Sequence, residues 1–249
     1  MIDFEHLIGG IYRLKVPFED NYTAVFLLCT PCGDILIDAA TTKADAEDFI
    51  IPALEKMGKS PKIAVCTHDH GDHVGGMPYV LSHFEGMRAY AASEKLISEK
   101  NFSPICDGDK LCESVKIVAL PGHSKDSVAI YDLETKTLIT GDCVQLGGVG
   151  RYGTGVGNGK EYYKSLDKIL SLDAENMITS HEYYPLGSLS LGREALENYI
   201  SESRKIADEI GELALAHGEK EAVRIYNSSI PTRPPVSEYS AKALGEAQN

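Results

Sequence analysis

The sequence predicts an α+β protein in which β-sheets are covered by helices in one compact unit. Three observations carry this. Short apolar or alternating runs of strand length recur along the chain, and segments of helical spacing fall between them. No internal repeat, low-complexity linker or charge run divides the 249 residues. With 43% apolar residues, the chain has material for a sizeable core.

Taken in order, residues 11–16 (Ile-Tyr-Arg-Leu-Lys-Val) alternate as a half-buried strand. Residues 22–29 and 34–37 read as two more, joined by a turn at Pro31-Cys32-Gly33. Asp38 follows the second, either as a cap or as a hydrogen-bond partner for a metal-binding His. Thr42 starts a helix in which Ala46, Phe49, Ile50, Ala53, Leu54 and Met57 recur at helical spacing; Pro52 kinks it and Gly58 ends it. Residues 63–66 form a buried strand and 78–84 a helix. Residues 88–92 read as a strand, 93–100 as a short helix, and 115–120 as a strand. Residues 127–132 and 137–140 make a hairpin. The glycine-rich stretch 147–159 is a loop with unusual backbone freedom. Residues 160–172 are helical, 176–180 a short strand, and 194–216 a long amphipathic helix whose apolar stripe packs on its own core. The tail from Pro231, with three Pro in five residues, is loop-like or faces a partner.

The stretch Thr67-His68-Asp69-His70-Gly71-Asp72-His73 concentrates three imidazoles and two carboxylates directly after a buried strand. A packed strand end aims side chains rigidly, and the following Val74-Gly75-Gly76 lets backbone approach closely. His and carboxylate at this density form a ligand set for a borderline metal such as zinc. His123, Asp142 and His181 each follow an apolar strand and lie close to Gly or Pro, which brings polar groups to strand ends where loops converge. Asp69 either orients a ligand His or caps the turn.

The net charge of -13 argues against a nucleic-acid surface and against adhesion to anionic membrane. No signal peptide and no run of membrane-spanning length is visible, so a cytoplasmic location with free thiols is the expectation. Cys29-Thr30-Pro31-Cys32 matches a CxxC pattern but sits at a hairpin turn, opens no helix and has no second CxxC, so it reads as structural.

The stretch His68 to His73 resembles the HxHxDH signature of the metallo-β-lactamase superfamily. Pro121-Gly122-His123-Ser124, Gly141-Asp142 and Ser180-His181 match its later ligand positions, and Ile37-Asp38 its early Asp. The resemblance spans most of residues 20–185. It implies an αββα sandwich of two mixed β-sheets flanked by helices, here one domain over 1–249 with its core about 1–190 and a C-terminal helical extension at 191–249. It further implies two divalent metal ions, zinc first, with iron or manganese as substitutes. His68, His70 and His123 would hold one ion and Asp72, His73 and His181 the other. Asp142 would bridge them, and Asp72 and Asp142 would be the catalytic carboxylates. Antibiotic-degrading members usually lack the His at the position of His73 and use a Cys near Asp142. His73 is present here and Cys143 is displaced by one, which argues against β-lactamase activity.

The Gly-rich segment with Arg151 and Tyr152, followed by His181-Glu182-Tyr183, looks like the glyoxalase II branch of thioesterases. The implied reaction is attack of water, activated by two metals, on a thioester or ester carbonyl. Arg151 and Tyr152 would meet a carboxylate of a small-molecule substrate. The chain after Gly187 departs from that branch. A lactonase or esterase on the same site is the nearest alternative. A mononuclear-iron persulfide dioxygenase would need only His68, His123 and Asp142. No nucleic-acid or membrane partner is expected, and the chain is a monomer or homodimer.

Overall fold

A computed structural model describes residues 2–98, 101–230 and 232–248. The last two positions of the helix expected over 93–100, and Pro231 at the head of the expected tail, lie outside the described residues. The chain forms two compact units, residues 1–118 with 132–135, and residues 119–131 with 136–249.

The first unit is built on a seven-stranded sheet. Strands β1 (Glu5–Ile8), β2 (Ile11–Phe18), β3 (Asn21–Thr30) and β4 (Gly33–Ile37) run antiparallel in sequence order. Three parallel strands follow: β5 (Ile63–Val65), β6 (Arg88–Ala91) and β7 (Phe102–Pro104). Parallel strands buried on both faces need near-continuous apolar sequence, which is how Ile63-Ala64-Val65-Cys66 reads. Leu14, Val25, Leu27, Leu36 and Ala64 pack with Ile50, Leu54, Met77 and Val80 in one apolar cluster.

The crossover from β4 to β5 starts where the sequence indicated. The Thr42 hydroxyl accepts from Asp45 N–H at 3.1 Å, and the Asp45 carboxylate accepts from Thr42 N–H at 2.8 Å, a reciprocal cap. The helix is not continuous. It runs as α1 (Lys43–Asp45), a π-helical turn at Ala46–Ile50, and α2 (Ile51–Lys56). Pro52 has no N–H for the helical ladder, and the widened turn directly before it absorbs that loss. Short helices α3 (Gly71–Val74), α4 (Met77–His83) and α5 (Glu94–Ser98) complete the unit's helical cover. The two glycines after α3 are required by proximity: a Cβ on Gly75 would stand 1.7 Å from Thr41 O, and one on Gly76 2.1 Å from Ala39 O. The close approach expected of this turn is therefore to the chain's own backbone.

A second, six-stranded mixed sheet has the order β15-β14-β11-β10-β9-β8. Its strands are β8 (Lys110–Cys112), β9 (Val115–Ala119), β10 (Val128–Asp132), β11 (Thr137–Ile139), β14 (Asn176–Ile178) and β15 (Leu189–Ser190). Strands β11 and β14 are parallel, with Ile139 beside Ile178. Both lie in the second unit. That unit also contains α6 (Gly159–Ser171), α7 (Arg193–His217), α8 (Glu219–Ser229) and α9 (Glu238–Ala247). Helix α7 buries Leu196, Tyr199, Ile200, Ile206 and Ile210 and packs on β14, β15, α6, α8 and α9. Its apolar stripe is thus covered within its own unit.

Two expectations are corrected. The glycine-rich stretch holds a small hairpin, β12 (Gly148–Val149) with β13 (Tyr152–Gly153); strands of two residues leave no alternation to read. The tail is helical over Glu238–Ala247, with Ala241 and Leu244 fully buried. Its prolines signal a break, but the helix begins just beyond them at a Ser237 cap, whose hydroxyl accepts from Ser240 N–H.

Candidate metal centre

In the first unit the register places the site. Ile37 at the end of β4 lies beside Val65 at the end of β5, so Asp38 and the chain after Val65 leave the sheet together. Asp38 N–H donates to Val65 O at 2.9 Å. Asp38 is fully buried and sits at φ 61°, a left-handed conformation that costs a non-glycine residue about 1–3 kcal/mol unless its surroundings fix it. Three hydrogen bonds do so. Its carboxylate accepts from Thr67 N–H at 2.8 Å, from Thr67 Oγ1 at 2.8 Å, and from His73 Nδ1 at 2.7 Å. Of the two sequence readings of Asp38, the structure selects the partner of a His.

These bonds fix tautomers. The Thr67 hydroxyl spends its proton on Asp38, so it accepts from His68 Nδ1, 3.1 Å away. His73 Nδ1 donates to Asp38. In both rings the proton is on Nδ1 and the lone pair on Nε2, the arrangement of a metal-binding imidazole held by an outer partner. His68 Nε2 faces His70 Nδ1 at 3.0 Å, near the roughly 3.3 Å between two tetrahedral ligands about 2.0–2.1 Å from zinc. His73 Nε2 lies 3.6 Å from Asp72 Oδ2. Asp69 turns elsewhere and accepts from Ser93 Oγ at 2.8 Å.

In the second unit three separate loops converge. Strands β11 and β14 end side by side. Thr140 N–H donates to Ile178 O, and Ser180 N–H to Gly141 O, so Asp142 and His181 emerge next to each other. Asp142 Oδ1 lies 3.5 Å from His181 Nε2, and its Oδ2 4.0 Å from His123 Nε2. All three side chains are at least nine-tenths buried. His123 Nδ1 donates to Gly155 O at 2.6 Å, again leaving the lone pair on Nε2. The turn before His123 needs Gly122, at φ 142°, because a Cβ there would stand 2.5 Å from Tyr162 Cα.

Gln145 was not singled out by the sequence. Its carboxamide Nε2 donates to Asp142 Oδ2 at 3.2 Å and lies 3.1 Å from His123 Nδ1, and its Oε1 accepts from Gly155 N–H at 2.6 Å. It ties the 142 loop to the glycine-rich segment, whose Gly155 carbonyl in turn holds the His123 ring. The available signal was a lone amide in the apolar run Cys143-Val144-Gln145-Leu146, all buried. Cys143 is core. Arg151 and Tyr152 meet at the β12–β13 hairpin. Arg151 Nη2 donates to the Tyr152 hydroxyl at 3.1 Å, its guanidinium lies 5.2 Å from the ring centroid, and both side chains are exposed.

The donor set fits a borderline divalent cation: imidazole nitrogens and carboxylate oxygens with outer hydrogen bonds already made.

Residues 19–104 and 107–181 match the model of the metallo-beta-lactamase superfamily, and the chain belongs to that superfamily. The two mixed sheets with flanking helices are its fold, as the sequence led us to expect. Among solved structures, a metallo-beta-lactamase family protein of Thermus thermophilus has a TM-score of 0.68 at 20% identity, covering 97% of this chain and 93% of its own. A protein named TTHA1623, solved in a di-iron-bound form, has a TM-score of 0.55 at 25% identity, covering 67% of this chain and 91% of its own. A hydroxyacylglutathione hydrolase of Photorhabdus laumondii is 28% identical over 190 residues, and one of Salmonella dublin 30% identical over 191; each alignment covers 74% of this chain and 71% of the relative. Within the superfamily the chain is a metal-binding hydrolase related to these enzymes. No helix among the described residues is long and apolar enough to cross a membrane.

Proposed function

We propose that the two ligand sets close on a pair of divalent cations and that the chain hydrolyses a hydroxyacyl thioester of a thiol bearing a carboxylate, as its hydroxyacylglutathione hydrolase relatives are named for doing. His68, His70 and His123 serve one ion; Asp72, His73 and His181 serve the other; Asp142 serves both. The observation that carries this is the set of fixed tautomers. His68, His73 and His123 each commit Nδ1 to an oxygen of the chain, so each offers Nε2 as a ligand atom. Zinc is the first expectation for the ions, and the di-iron form of TTHA1623 makes iron the second.

Two such cations supply a water of near-neutral pKa and a positive field for the oxygen that gains charge during attack. The chain's residues do the rest. The Gln145 amide holds Asp142 against His181 and His123. Asp72, less buried than His73 beside it, takes the proton released as water attacks the acyl carbon. The acyl–sulfur bond then breaks, and the sulfur leaves as the thiol with the proton that Asp72 returns. Arg151, already stacked on Tyr152, receives the substrate carboxylate as a charge-assisted pair.

The test is hydrolysis of S-lactoylglutathione, a simple ester, a lactone and a β-lactam by metal-replete protein. The thioester is expected to have the highest kcat/KM by about tenfold or more, since a matched carboxylate contact is worth at least 1.4 kcal/mol. A lactone or plain ester turned over faster would replace this reading with the esterase one. A protein that holds one iron and consumes a persulfide would replace it with the dioxygenase.

A further inference from the structure

The six cysteines are unbridged and unequal. Cys66 and Cys143 are buried, Cys29 and Cys112 half-buried, and Cys32 and Cys106 exposed. The CxxC pair Cys29 and Cys32 is divided by the β3–β4 turn. Cys29 lies opposite Asp34 in the ladder; burial, then the Asp34 carboxylate beside it, pushes its thiol pKa up. It is the inert member of the pair.

Cys32 has a different partner. It stands at the tip of the turn, its N–H donating to Thr30 Oγ1 at 3.1 Å. Cys112, at the end of β8, directs its Sγ to the same Thr30 Oγ1 at 3.9 Å and lies 3.4 Å from Ser114 Oγ. Both cysteines thus adjoin the one Thr30 hydroxyl, and the Cys112 thiol nearby, then burial, raises the pKa of Cys32. For Cys112 burial opposes ionisation, but the Ser114 hydroxyl and backbone N–H, with Cys32 nearby, outweigh it and lower its pKa. Two thiols separated by 80 residues of sequence thus come together around Thr30, one half-buried with a lowered pKa and the other exposed to solvent.

We propose that Cys32 and Cys112 are a dithiol that closes reversibly to a disulfide by exchange with a low-molecular-weight disulfide, RSSR. The Cys112 thiolate attacks one sulfur of RSSR; the S–S bond breaks and RS⁻ departs. Cys32, losing its proton, attacks Sγ of the mixed disulfide at Cys112 and expels the second RS⁻. Two electrons pass from the cysteine sulfurs to RSSR, and the two thiol protons end on two RSH. The bond formed ties the β3–β4 turn of the seven-stranded sheet to β8, the last strand of the six-stranded sheet, within the first unit. Strand β4 runs away from this turn toward Asp38, so the bridge closes at the end of the strand opposite the metal ligands. Hydrolysis does not require it.

The test uses full-length, metal-loaded protein in buffers of graded reduced and oxidised glutathione, quenched with a maleimide and read by intact mass and non-reduced peptide mapping. One two-electron transition is expected, yielding a Cys32–Cys112 peptide. Cys29→Ser keeps that transition. Cys32→Ser arrests as a glutathione adduct on Cys112. Cys112→Ser forms adducts on Cys32 about tenfold more slowly, as expected when the ionised thiol is removed. All three variants retain hydrolase activity. A Cys29–Cys32 bridge, adducts on both Cys32 and Cys112 with no cross-link, or thiols still alkylated throughout the series would each overturn the proposal.

Discussion

The two halves of the proposed ligand set are held in opposite ways. In the first unit four of the proposed ligands occupy positions 68–73, so their proximity follows from the chain itself; what folding adds is Asp38, which fixes Thr67, His68 and His73 from about thirty residues upstream. In the second unit His123, Asp142 and His181 are far apart in sequence and meet only because β11 and β14 end together and Gln145 spans the loops. One half depends on a buried carboxylate hub, the other on strand register and an amide. Substitutions that separate the two dependences give graded expectations.

The largest effect is expected for Asp142→Ala. Removing the carboxylate between His123 and His181 should cost more in kcat/KM than the roughly 10–100-fold of an outer partner, with at least one ion lost; unchanged turnover with full metal content contradicts its role. Asp38→Asn comes next. The amide cannot accept from Thr67 N–H, Thr67 Oγ1 and His73 Nδ1 together, so metal affinity should fall about 10–100-fold, with the loss measured as weaker binding of the ion served by His73. Gln145→Ala should fall toward the lower end of that range, about tenfold; an effect as large as that of Asp38→Asn would mean the two halves do not differ as described. Arg151→Ala should raise KM for S-lactoylglutathione several-fold and leave a neutral ester untouched; equal loss on both removes the carboxylate contact.

The smallest effect is on stability in alkali and belongs to one unit. Tyr131, Tyr162, Tyr163, Tyr199 and Tyr226, all in the second unit, have hydroxyl pKa values raised by burial, Tyr226 to about 12. A raised folded pKa favours the protonated native state, so the contribution is full below the ordinary tyrosine value near 10 and is lost as pH rises through the folded values. Hydrogen exchange between pH 10 and 12 should show opening of α6, α7 and α8 ahead of the seven-stranded sheet, and Tyr226→Phe should delay it.

The first half was plain in the sequence because ligand density is a local property: no stretch of surface loop needs His68, His70, Asp72 and His73 together. The second half was legible only as a repeated context, an apolar strand followed by His or Asp, made specific by the family pattern. Asp38 stood as an even choice, since a carboxylate after a strand looks the same whether it caps a turn or holds a ring; the parallel register with β5 decides it. Gln145 was missed because its role depends on where the backbone of Gly155 goes, which no spacing encodes. Helix α9 was missed because Pro234 and Pro235 dominate the local signal, while its stabilisation comes from burial of Ala241 and Leu244 against the rest of the second unit.

The account rests on both halves acting on one pair of ions, and metal stoichiometry tests that most directly. Elemental analysis of purified protein, set beside Asp142→Ala and His181→Ala, should give two divalent ions per chain in the parent and one or fewer in each variant. A parent protein with a single tightly held ion, or variants of the second half that keep both, would contradict it.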